Sequence, residues 1–185
     1  MIISDWQYTP GKGILKPEIK KKFGTIFTPS FVVEKTIDLA WKYLPKDKDK
    51  LSLTYIDPAC GDGHFLIAIY KRLMLEKSDL SSVDKSHHIL TKCIYGIEII
   101  HQLSIICRHK MVRSHKEFGG DRLIDDLNIY WGNTIVIPED TKEKWYKNRP
   151  SYEGGILPDI IRNNKWDCII TNPPYCHLRN FTNEI

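Results

Sequence analysis

Leu51-Ser52-Leu53-Thr54-Tyr55-Ile56-Asp57-Pro58-Ala59-Cys60-Gly61-Asp62-Gly63-His64-Phe65 is the stretch whose reading decides the fold. Leu51 to Ile56 reads as a short buried strand. Asp57 to Gly63 then concentrates a proline and two glycines, the mark of a turn-rich loop, and the apolar stretch from Phe65 to Leu75 reads as a helix. Strand, glycine loop and helix in succession make the first half of a βαβ unit.

Downstream the same alternation continues. Cys93 to Ile97 is a second strand, and Ile99, Leu103, Ile106, Cys107 and Met111 mark one face of a helix that Gly119-Gly120 ends. Leu127 to Trp131 is a third strand. Residues 138–164, with three prolines and Gly154-Gly155, form a long connection, after which Trp166 to Thr171 is a fourth strand running into Asn172. Upstream, Ser30 is placed to cap a helix carrying Val33, Ile37, Ala40, Trp41 and Leu44, which Pro45 stops. Before it, residues 1–29 hold too many prolines and glycines for a long element and read as an N-terminal arm. Strands separated by helical crossovers imply an α/β fold: a doubly wound, mostly parallel sheet with right-handed connections and helices on both faces.

Composition narrows the class. The 185 residues are 42% apolar and 27% charged, which excludes a disordered or fibrous chain. The N-terminus lacks the layout of a signal peptide, and no apolar run approaches the roughly 20 residues that span a bilayer, so no membrane partner is expected. Five cysteines, an odd number and widely spaced, fit a reducing cytoplasm. Lys plus Arg exceed Asp plus Glu by 27 to 23, a mild bias toward polyanions. Lys12, Lys16, Lys20, Lys21 and Lys22 crowd one segment, either a solvated surface run or a track for phosphates.

In doubly wound sheets ligands sit beyond the carboxyl ends of the strands, where strand order reverses. Three strand ends carry chemistry. The first is Asp57 to Gly63, whose glycines let backbone approach a ligand and whose acid can receive an ammonium group; alternatively it is a tight turn in which Asp62 caps the helix. No Gly-Lys-Ser/Thr follows, which excludes a P-loop. The second is Glu98, suited to the two hydroxyls of a ribose, or simply an exposed acid. The third is Asn172-Pro173-Pro174-Tyr175, a rigid turn that holds acceptors beside an aromatic ring, suited to a flat group bearing an NH2.

In this order, Asp57-Pro58-Ala59-Cys60-Gly61-Asp62-Gly63-His64-Phe65-Leu66, Gly96-Ile97-Glu98 and Asn172-Pro173-Pro174-Tyr175 resemble the cofactor loop, ribose acid and catalytic motif of S-adenosylmethionine-dependent DNA adenine-N6 methyltransferases. Phe27-Thr28-Pro29 resembles the Thr-Pro element of the gamma-class enzymes of restriction-modification systems, and the resemblance covers about residues 23 to 175. It implies a Rossmann-like methyltransferase fold with S-adenosylmethionine as cofactor. It places Thr28 on the cofactor carboxylate, Asp57 on its amino group, Ala59, Gly61 and Gly63 along its path, and Glu98 on the ribose. Asn133, in Trp131-Gly132-Asn133-Thr134, stands where the family usually has an Asp that accepts from the cofactor adenine; its side chain still accepts but brings no charge. Asn172 and the Pro173 carbonyl would receive the two N–H bonds of an adenine extruded from double-stranded DNA, beside Pro174 and with Tyr175 stacked on the base. The cofactor supplies the electrophile, so no metal is expected.

Two other readings stand beside this one: a methyltransferase acting on another planar nitrogen, in a protein glutamine or an RNA base, and a non-catalytic chain that binds cofactor or DNA. With four strands counted and only Cys176 to Ile185 after the catalytic motif, residues 30–185 read as a partial methyltransferase domain, incomplete at its C-terminal side and lacking a target-recognition region. The fourth strand is then an apolar edge, open to self-association.

Overall fold

A computed structural model describes residues 27–120, 124, 126–132, 134 and 165–173. The chain divides into two compact units, one running from Thr28 to Pro173 and the other made of residues 1–27 and 174–185. Of the second, Phe27 alone is among the described residues, and the architecture below is that of the first.

The first helix, α1 (Ser30–Tyr43), starts one residue earlier than a Ser30 cap would require. Pro29 holds the cap position, its carbonyl accepting from the N–H groups of Val32 and Val33 at 3.0 and 3.1 Å, and no side chain caps the helix. Val33 and Ile37 turn inward. The helix ends where Leu44 becomes extended, the conformation that the ring of the following Pro45 imposes.

The first strand is shorter than the sequence suggests. Asp49 accepts from the N–H of Leu51 at 2.9 Å and winds Lys50–Ser52 into a 3-10 turn, so that β1 is confined to Tyr55–Asp57. Leu51 and Leu53 are still buried, which explains their apolar pattern without a strand. The glycine loop leads into α2 (His64–Met74), which buries Phe65, Leu66, Ile69, Tyr70 and Leu73. A short helix α3 (Ser82–His88) and a π-helical turn (Ile89–Cys93) precede β2 (Ile94–Glu98), followed by α4 (His101–Glu117), β3 (Ile129–Trp131) and β4 (Cys168–Ile169).

The four strands form one parallel sheet in the order β3-β2-β1-β4. Asp57 pairs with Gly96, Glu98 with Trp131, and Ile56 with Ile169. The chain walks from β1 through β2 to β3 on one side and then returns to the other side of β1. The reversal between β1 and β4 is the switch point of an α/β sheet, and the acids of β1 and β2 lie at the carboxyl ends beside it.

Strand side chains alternate between two clusters, as the pleat requires. Tyr55, Ile94, Ile129 and Ile170 join the main core with side chains from α1, α2, α4 and the π turn. On the opposite face Ile56 and Ile97 pack with Tyr95, Tyr130 and Trp166, and among the described residues no helix contributes to this second cluster. Among the described residues no helix is long and apolar enough to cross a membrane.

Candidate active site

Asp57 closes β1 with 1% of its surface exposed. Its Oδ1 accepts from the N–H of Ala59 at 3.1 Å, and its carboxyl is also hydrogen-bonded to the Thr171 side chain at the end of β4. Burial pushes its pKa up to about 7 against those two hydrogen bonds, and the nearby negative charge of Glu98 adds to the rise. Glu98 closes β2, also buried, with Oε2 accepting from the N–H of Gly61 at 2.8 Å and Oε1 from that of Ile100 at 2.7 Å. Burial raises its pKa too, opposed by bonds from the Ile100, Gly61 and Ile99 backbones. Each carboxylate oxygen has a second lone-pair direction, so these bonds orient Glu98 without exhausting it.

The two loop glycines do different work. Gly63 has φ +91°, and a Cβ there would lie 2.7 Å from Cys107 Sγ, so the residue is fixed by the approach of α4. Gly61 has φ +55°, yet a Cβ there would meet nothing within 4 Å among the described residues. Among the described residues no packing contact demands a glycine at this left-handed position, which lies beside the two desolvated acids.

Asp62, between them, does not cap α2; Gly63 holds the cap position. Its carboxylate receives Lys110 Nζ at 2.9 Å and His64 Nδ1 at 3.0 Å. Burial alone would raise its pKa, but the hydrogen bonds and charges of His64 and Lys110 overcome this and hold it below the usual carboxylate value.

Beyond β3, the Gly132 N–H donates to the Glu98 carbonyl at 2.9 Å, and Thr134 Oγ1 donates to the Pro58 carbonyl at 2.6 Å, which ties the third strand end to the glycine loop. Trp131 donates from Nε1 to the Ile99 carbonyl at 2.9 Å, and its ring lies 4.2 Å from that of His101, centroid to centroid. Asn133 lies outside the described residues. After β4, Asn172 Nδ2 donates to Thr28 Oγ1 at 2.9 Å, bridging 144 positions of sequence. Pro173 follows it, while Pro174 and Tyr175 lie outside the described residues.

The structure thus brings Asp57 to Ala59, Glu98 to Gly61, and Asn172 to Thr28. Sequence reasoning missed Thr171, Lys110 and the His101–Trp131 ring pair. Thr171 carried a signal, as a polar residue ending the apolar run that leads into Asn172; Lys110, on the flank of a helix, carried none.

Fold and site together define an α/β protein with buried acids and loop glycines at the switch point of a parallel sheet. The sequence profile described as N-6 DNA Methylase matches residues 15–184, and the chain belongs to that family. It is 21% identical over 189 residues to the adenine-specific methyltransferase PglX of Streptomyces coelicolor, a match that covers 90% of this chain and 16% of that protein. It is 25% identical over 190 residues to the type II restriction enzyme and methyltransferase RM.Eco57I of Escherichia coli, covering 85% of this chain and 18% of that protein. A modification subunit of a putative type I restriction enzyme from Vibrio vulnificus aligns with TM-score 0.37 and 20% identity, over 55% of this chain and 19% of that one. The chain therefore spans less than a fifth of the length of these relatives.

Proposed function

We propose that the chain is the cofactor-binding and catalytic part of an enzyme that methylates the N6 amino group of adenine in double-stranded DNA, in the cytoplasm and within a restriction-modification system. The observation that carries the reading is the clustering, at one end of the sheet, of two desolvated acids, a glycine facing open space and Asn172-Pro173. The family match and the similarity to the adenine-specific methyltransferase PglX and to the restriction enzyme and methyltransferase RM.Eco57I support it. Residues 1–29 are assigned to an arm and residues 30–185 to a partial methyltransferase domain, with target recognition supplied from elsewhere.

The residues present fit S-adenosylmethionine. Asp57 and Glu98 are acids whose ionised forms are costly without a partner; an ammonium beside Asp57 and a ribose diol beside Glu98 offset that cost. The open space at Gly61 takes the bulk of the chain between them. Ala59, Gly63, Thr28 and Asn133 complete the assigned cofactor contacts. When bound, the cofactor supplies an electrophilic methyl group on a sulfonium. The chain's own task lies with the amine. Adenine N6 is a poor nucleophile because its lone pair is delocalised into the ring, and Asn172 Oδ1 with the Pro173 carbonyl draw on its two protons. Acceptors there localise the lone pair and stabilise the positive charge that grows on nitrogen. Pro174 stiffens the turn, and Tyr175 stacks on the flipped base.

The test is methyl transfer to adenine-containing DNA by the natural full-length protein, against a glutamine-bearing protein and an RNA. Asn172→Ala is expected to abolish transfer and leave cofactor affinity nearly intact. Transfer to the protein or RNA alone, or loss of cofactor binding in step with turnover, would overturn the assignment.

A further inference from the structure

The hydrogen bond between Thr28 and Asn172 bears on a choice that an amide side chain must make. The oxygen and nitrogen ends of an asparagine are nearly the same size, so shape alone does not decide which one faces a substrate. An amino group held in the ring plane offers protons in both in-plane directions, and only the oxygen end of Asn172 can receive one. In the structure Nδ2 donates to Thr28 Oγ1 at 2.9 Å, and Oδ1 is the amide atom turned away from Thr28.

Both partners stand immediately before a proline, Thr28 before Pro29 and Asn172 before Pro173. The ring that follows restricts the backbone of each to extended conformations. Pro29 is itself anchored, since its carbonyl receives the first N–H groups of α1 and that helix buries Val33 and Ile37 in the core. On the other side Thr171, the residue before Asn172, is hydrogen-bonded to the buried Asp57. Asn172 is thus held from two directions, through its neighbour by the end of β1 and through its own amide by the start of α1.

We infer that Thr28 is a positioning residue for the amine-binding step: with its hydroxyl proton given to the cofactor carboxylate, the contact the family resemblance assigns to it, its oxygen can only accept from Asn172 Nδ2 and so turns Oδ1 toward the target nitrogen. The inference rests on the proposed reading of Asn172. It adds to Thr28 a duty separate from the cofactor contact that the family resemblance assigns. Valine keeps the shape of threonine and removes the acceptor that Asn172 Nδ2 meets. Serine restores the hydroxyl.

Two measurements on the natural full-length protein test this. In steady-state methylation of DNA at saturating cofactor, where any loss of the assigned cofactor contact no longer limits the rate, Thr28→Val is expected to lower kcat by about tenfold to a hundredfold, the scale of a misplaced reacting group. Thr28→Ser is expected to recover most of kcat. A loss confined to cofactor affinity, an unchanged kcat, or failure of serine to rescue would overturn the positioning role. The second measurement needs no turnover: in amide NMR the Asn172 side-chain NH2 is expected to exchange with water more slowly in the parent and in Thr28→Ser than in Thr28→Val. Equal exchange in all three would overturn the contact itself. A parent that shows the slow NH2 but methylates no adenine would overturn the proposed function and leave the contact standing.

Discussion

Asp57 and Asp62 bracket the same loop, and both are about 1% exposed, yet they live in opposite electrostatic conditions. Asp62 has Lys110 and His64 against its two oxygens and sits below the usual carboxylate pKa. Asp57 has a backbone N–H and the Thr171 side chain, and among the described residues no basic group pairs with it; burial lifts it to about 7. A charge that serves the fold is neutralised by the fold. A charge left desolvated at the switch point is a cost to the empty protein that a cationic ligand can remove.

The sharpest way to break that contrast is Asp57→Asn. The variant keeps an acceptor for Ala59 but removes the charge that an ammonium would meet, so S-adenosylmethionine affinity should fall by about 3 kcal/mol, roughly a hundredfold or more, in calorimetry. The ligand-free protein should at the same time gain about 1–2 kcal/mol near pH 8, because the cost of a buried carboxylate is gone. A variant that binds cofactor normally, or that is less stable than the parent, would show that Asp57 serves the fold as Asp62 does.

Asp62→Asn should have the opposite signature. It removes the charge and one of the two oxygens that receive Lys110 and His64, and thermal unfolding should show a loss of about 1.5–3 kcal/mol, toward the low end because Lys110 and His64 are part-exposed. Cofactor affinity should change less than stability does. Asp62 is lowered, so its contribution is present at neutral pH and lost as pH falls through its folded value, below the ordinary carboxylate range. The parent and Asp62→Asn curves should therefore converge in acid.

The contrast between these acids was only half legible in the sequence. Asp57, Glu98 and Asn172 could be read because polar residues that end apolar strands stand out against the rule that ligands lie beyond carboxyl ends. The partners that distinguish Asp57 from Asp62 could not, because they arrive through tertiary packing: Lys110 is 48 positions from Asp62. The sheet was legible for the same reason as the acids, although β1 and β4 proved shorter than their apolar runs. At β1 the cause is local, since Asp49 captures the Leu51 N–H and diverts Lys50–Ser52 into a turn. Helix α3 escaped reading despite a start signal, Ser81-Ser82-Val83-Asp84, in which Ser81 does cap the N–H of Asp84 at 3.1 Å. Its inward face is mostly polar, Lys85 and Ser86, so hydrophobic periodicity had nothing to detect.

A smaller effect follows from the raised acid alone. Ligand-free Asp57 titrates near pH 7, and an ammonium prefers its ionised form, so binding should release a proton near neutrality. Affinity should rise as pH increases through 7 and fall by up to about tenfold per unit below it. The stability of the ligand-free protein should run the other way, with the contribution from this group falling as pH rises from about 4 to about 7. In Asp57→Asn both slopes should flatten. An affinity independent of pH between 6 and 8 in the parent would remove the ammonium from Asp57.

The smallest expected effect separates the two loop glycines, and it asks whether the open space beside the acids is meant for a ligand. Gly61→Ala puts a Cβ where nothing lies within 4 Å among the described residues, so its expected cost to the fold is the left-handed backbone at φ +55°, about 1–2 kcal/mol. Gly63→Ala adds to a φ of +91° a collision with Cys107 Sγ at 2.7 Å in the core, and should be the more destabilising of the two. If the loop were a packing turn only, that would be the whole difference, and cofactor affinity would follow stability in both variants. If Gly61 is left bare so that a ligand can pass over it, the methyl group of alanine occupies space the cofactor needs. Gly61→Ala should then lose more affinity than its modest stability change accounts for, while a folded Gly63→Ala should lose less. The ratio of the two losses, measured by calorimetry and thermal unfolding on the same samples, reads the purpose of the loop directly. Affinity that scales with stability in both variants would return Gly61 to the fold.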